Sequence, residues 1–138
     1  MTTGLVAHPL IARLLALHLP AKDYAVFGSG PLLAHGLVTT VHDLDVVARG
    51  RAWQRASRLG KPVPAPSGTG LMVETADGHL QVFTAWTSGQ WDVGRLIDEA
   101  DVIDGIRFVT LPVVLAWKRQ SSRPKDLEHI RLIEQHLS

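Results

Sequence analysis

Apolar residues recur at helical spacing through residues 7–19, where Leu10, Ile11, Leu14, Leu15 and Leu17 form a stripe. Pro9 suits the first turn of that helix, and Pro20 stops it. The run Tyr24-Ala25-Val26-Phe27 is continuous rather than alternating and closes on Gly28-Ser29-Gly30, which predicts a buried strand entering a tight turn. A short helix is expected over 31–37, a second strand over 43–48 with its acidic residues at the start, and a polar helix over 51–59. Residues 61–70 are rich in Pro, Gly and Ser and read as a loop. Residues 71–75 and 79–84 flank Ala76-Asp77-Gly78, a β-hairpin signal. Residues 85–100 predict a small helix or loop segment, 106–109 a short strand, and 112–118 and 124–137 two closing helices. Strands interleaved with helices, with a hairpin among them, predict an α/β or α+β class: a mixed sheet with helices packed on it.

Composition narrows this little. The chain has 138 residues, 46% hydrophobic and 20% charged, which suits one globular domain over 1–138 and argues against disorder. The absence of cysteine excludes a disulfide framework, a thiolate zinc site and a cysteine nucleophile. A net charge of +1 gives no bulk signal for nucleic acid. No apolar run is long enough for a membrane helix, and Met1-Thr2-Thr3 lacks the basic start of a signal peptide. A cytoplasmic protein without a membrane partner is therefore expected.

The candidate chemistry lies at Asp43 and Asp45. Alternate residues of a strand share a face, so both carboxylates are expected to point one way while Leu44 and Val46 enter the core. Like charges so placed repel unless a cation lies between them, and Mg²⁺ (or Mn²⁺) suits oxygen ligands serving phosphate chemistry. An isolated Asp-x-Asp is most often a solvated strand face. Here Ser29 lies fourteen residues upstream in a glycine turn, where backbone can approach phosphate closely and a helix start offers free N–H groups. Residues 118–125 hold four basic residues in eight, which read equally as phosphate contacts or as a solvated helix end.

Gly28-Ser29, the segment from Gly36 to Val47 containing Asp43-Leu44-Asp45, and Lys118, Arg123, Lys125, Asp126 and Leu127 together resemble the nucleotidyltransferase-fold superfamily in its minimal members. The resemblance spans roughly residues 24–137. It implies transfer of a nucleoside monophosphate from a nucleoside triphosphate, ATP by first choice, onto an acceptor hydroxyl. In that scheme Gly28 and Ser29 hold the triphosphate, Asp43 and Asp45 hold metal, and Lys118, Arg123 and Lys125 neutralise phosphate charge. A small-molecule or protein acceptor ranks ahead of RNA, and a homodimer or a protein partner is left open.

One departure stands out: active members usually carry a third carboxylate on a later strand, and the matching residue is Gln81, which cannot act as a base or an anionic ligand. Glu74 and Asp77 are the candidates to replace it. If neither does, the alternative is a catalytically degenerate domain that binds a partner, as in toxin–antitoxin pairs. Gly28-Ser29-Gly30 is also similar to a dinucleotide fingerprint, but Leu33 occupies the third glycine position. His35, His42 and His79 are expected to be ordinary surface or satisfied histidines. The four tryptophans are expected to pack the core and its rim, with Trp86 and Trp91 the two to check for a place near the site.

Overall fold

The structure is a computed structural model that describes residues 4–86, 90–121 and 123–138. The part of the 85–100 reading that falls on 87–89 lies outside the described residues, as do residues 1–3 and 122. The expected mixed α/β class holds. Strands β1 (Tyr24–Phe27), β2 (Leu44–Ala48), β3 (Val63–Pro64), β4 (Leu71–Glu74), β5 (Leu80–Phe83), β6 (Asp101–Ile103) and β7 (Ile106–Phe108) form one seven-stranded sheet in the order β3-β4-β5-β2-β1-β7-β6. β1–β7 and β2–β5 pair in parallel, and the remaining neighbours are antiparallel.

Helices α1 (Pro9–Ala16), α2 (Gly30–Ala34), α3 (Gly50–Ala56), α4 (Val93–Asp98), α5 (Leu111–Ser121) and α6 (Asp126–Leu137) cover the sheet. The continuous apolar run of β1 is explained by burial on both faces: its four residues are all 3% exposed or less. Tyr24 and Val26, with Leu44, Val46, Leu80 and Val82, pack against α1 and α3. Ala25, Phe27 and Val47 pack on the opposite side, against α4, α5 and α6.

Local chemistry sets the helix ends. His8 caps α1 by accepting a hydrogen bond from the Leu10 N–H at 3.2 Å, with Pro9 in the first turn, and Asp92 caps α4 through the Gly94 N–H at 3.1 Å. Gly30 starts α2 close against β1, and a Cβ there would collide with Val26 Cγ1.

Three expectations change. The loop over 61–70 contains the two-residue edge strand β3, and β6, which the sequence reading did not anticipate, pairs with β7 at the far edge. Asp43 lies just before β2 rather than inside it. No helix among the described residues is long and apolar enough to cross a membrane.

Candidate functional site

β2 is the central strand that aims the chemistry. In the register Phe27↔Asp45↔Gln81↔Glu74, these four residues stand in one row across β1, β2, β5 and β4. Paired residues share a face, and Asp45 is two residues from Val47, so the row faces the α4–α6 side. There a cleft of 580 Å³ opens. Gly28 and Ser29 from the β1–α2 turn, Asp43 and Asp45, and Arg123 and Lys125 from the α5–α6 connection all line it. Six of the seven expected site residues therefore meet in one place; Lys118 lies beneath it.

Asp45 is strongly perturbed. Burial, then the neighbouring charge of Asp43, pushes its carboxyl up to about 6, against the opposing pull of Arg123, Lys118 and Lys125. No hydrogen bond reaches its carboxylate among the described residues. Gly28 leaves room for it: this residue sits at φ +64°, and a Cβ there would lie 2.9 Å from Asp45 Oδ2. Gly28→Ala is therefore expected to cost about 1–2 kcal/mol from the left-handed backbone alone, and more if Asp45 must move, read as a lower urea midpoint.

Asp43 is exposed and accepts a hydrogen bond from His79, with Nδ1 and Oδ1 2.8 Å apart. That contact raises the His79 imidazole above its usual value. His79 is thus a satisfied and exposed histidine, as expected, but it is satisfied by the candidate acid itself. Of the two replacements considered for a third carboxylate, Glu74 stays in the row and accepts a hydrogen bond from Gln81 Nε2 at 3.4 Å. Asp77 instead pairs with Arg13 of α1 at 3.2 Å, which removes it from the site.

In the basic segment Arg119, Arg123 and Lys125 are exposed, as a solvated helix end would have them, but Lys118 is not. Lys118 is fully buried, and its Nζ donates to Asp126 Oδ1 at 3.0 Å and to Ser29 Oγ at 3.2 Å. Burial pulls the Lys118 ammonium down, and the Asp126 contact opposes that pull. Asp126, itself 1% exposed, also accepts from Ser121 Oγ and Arg123 Nε, each at 2.8 Å. Burial pushes its carboxyl up, but these donors outweigh burial and hold it at about 2. Arg123 also lies over the Trp117 ring, 5.3 Å from its centroid.

Two site residues were missed. Asp126 entered only as part of a motif, yet it holds both Lys118 and Arg123. His129 lines the cleft with Nδ1 3.4 Å from Ser29 Oγ, and burial, then Lys118, lowers its imidazole. Asp126 and His129 are three residues apart on α6, a helical spacing that puts them on one face. Phe83, Trp86 and Trp117 complete the wall. Trp86 stacks on Phe27 with centroids 4.4 Å apart, so it is mainly a packing residue.

Among the described residues, no group of three or more His, Asp or Glu side chains is gathered to hold a metal. Two carboxylates, one of them half-buried with no hydrogen-bond donor among the described residues, are oxygen donors of the kind Mg²⁺ takes. No protein-family model matches the chain, and no curated protein or solved structure is significantly similar to it.

Proposed function

We propose that the cleft binds a nucleoside triphosphate, ATP by first choice, with Mg²⁺ or Mn²⁺, and that the protein is a nucleotidyltransferase of the minimal type. One observation carries the reading: an acidic pair, a glycine turn and two cations, drawn from three separate parts of the chain, line one 580 Å³ cleft. Bound metal would supply charge neutralisation and polarisation of the α-phosphate. Asp43 and Asp45 are the residues that would hold it. Gly28 and Ser29 offer backbone without bulk beside them, which suits close approach of a phosphate. Arg123 and Lys125 supply positive charge at the cleft wall, and Asp126 fixes the Arg123 guanidinium. Lys118 acts from below by holding Ser29 in place.

A second reading rests on Gln81. A neutral amide stands next to Asp45 in the register, and the neighbouring Glu74 is tied to it by a hydrogen bond. A binding domain that has lost transfer activity fits this arrangement.

Calorimetric titration with ATP tests the proposal, once with Mg²⁺ and once with EDTA. Binding is expected with Mg²⁺ only, and Asp43→Asn is expected to weaken it by about tenfold or more, the equivalent of about 1.4 kcal/mol. Unchanged affinity in the Asp43→Asn protein, or no binding under either condition, overturns the reading. Binding without turnover over a broad panel of acceptors favours the second one.

A further inference from the structure

A second cavity, of 860 Å³, lies between α1, α2 and the segment leading into β2. Its apolar lining includes Leu10, Leu33, Ala34, Val41 and Ile103. Thr40, Val41 and His42 line both this cavity and the acidic cleft, so the two share a wall. The wall is bridged: His79 lines the cavity, Asp43 lines the cleft, and their side chains are hydrogen-bonded at 2.8 Å.

We propose that this cavity holds the acceptor, a small molecule with an apolar body that presents a hydroxyl across the Thr40–His42 rim to the Asp43 end of the cleft. The inference rests on the nucleotide reading and names the substrate class it left open. The volume lies in the range of small-molecule sites, about 300–1,000 Å³. The lining contains one acidic side chain, Asp104, which already accepts a hydrogen bond from the Leu5 N–H at 3.2 Å. Among the described residues it contains no Lys or Arg. A polycationic acceptor therefore lacks matching carboxylates there, and His8, His42 and His79 are polar partners enough for a neutral or weakly charged one. In the transfer, the acceptor oxygen bonds to the α-phosphorus. The bond from that phosphorus to the pyrophosphate oxygen breaks, pyrophosphate leaves with the electron pair, and the hydroxyl proton passes to water.

Benzyl alcohol, an apolar ring bearing one hydroxyl, is the binding probe, followed by amide shifts in ¹⁵N-labelled protein. The expected result is shifts centred on Ala34, Val41 and Ile103, weakened about tenfold by Ala34→Phe, which fills the cavity. Thr39→Trp, at the exposed rim, is the second variant in case the first does not fold. Neither residue lines the cleft, so Mg²⁺–ATP affinity is expected to stay unchanged in both. With labelled ATP and a panel of small alcohols, nucleotidylated product is expected, and the same variants are expected to suppress it. Shifts absent from the cavity residues, product formation indifferent to both variants, or label passing only to added protein or RNA overturns the inference while leaving Mg²⁺–ATP binding intact. Failure of Mg²⁺–ATP to bind overturns the nucleotide reading itself, and the acceptor role falls with it.

Discussion

Asp45→Asn is expected to make the unliganded protein more stable at neutral pH, by about 2–3 kcal/mol. The sign follows from the raised carboxyl. Asp45 titrates at about 6 in the folded chain against 3.8 as its ordinary value. Between those values the native state binds more protons than the unfolded chain, so stability falls as pH rises through the window. Above it the whole cost is present; below 3.8 both states are protonated and no cost remains. Asparagine keeps the shape and has no charge to desolvate. Thermal melts check this: a gain of roughly 5–10 °C at about pH 7.5 should shrink to nearly nothing at about pH 3.5. An equal gain at both pH values, or a loss at neutral pH, would show that Asp45 is not a strained carboxylate. In the proposed site a bound cation would remove this cost, the usual trade of stability for function.

Asp126→Asn is expected to act in the opposite direction and more strongly, lowering stability by about 3–5 kcal/mol. The substitution leaves Lys118 charged and fully buried with its main counter-charge gone. It also weakens the contacts from Arg123 and Ser121. That is a large share of the roughly 5–15 kcal/mol that holds a domain folded. Chemical denaturation of the single variant and of Lys118→Met/Asp126→Leu separates the causes. If the loss comes from an orphaned charge, the apolar pair recovers most of it, because a buried ion pair is expensive to split but cheap to replace whole. If the double variant is as unstable as the single one, packing around α5 and α6 is responsible instead. In acid the sign is that of a depressed carboxyl: the stabilisation from Asp126 is present above 3.8 and is lost as pH falls towards about 2.

The strands that carry the site were legible because they are buried on both faces. Tyr24–Phe27 and Leu44–Ala48 are apolar almost throughout, and the only interruption, Asp45, is the proposed metal ligand. The hairpin was legible from its Asp-Gly turn. β6 was not, because Asp101 and Val102 are exposed edge residues without a pattern, and their pairing depends on β7 alone. Asp43 and Asp45 were found from spacing, but the pairing of Asp43 with His79 depends on β5 lying beside β2, which a linear reading does not contain. The burial of Lys118 is not legible for a related reason. A lysine near a helix end normally faces water, and its burial here depends on Asp126 of the next helix and on Ser29, far away in sequence.

The bonds from Ser29 to Lys118 and to His129 span 89 and 100 residues of chain. Such distant contacts close large loops, and they slow the last stage of folding. A chain made from its N-terminus displays Gly28, Asp43 and Asp45 long before α6 exists. For that interval the two carboxylates face each other without the cations of the C-terminal segment. The cleft is thus complete only with the final two helices, and a protein shortened before Leu111 would retain every strand of the sheet while lacking all the site's cations together with Asp126 and His129.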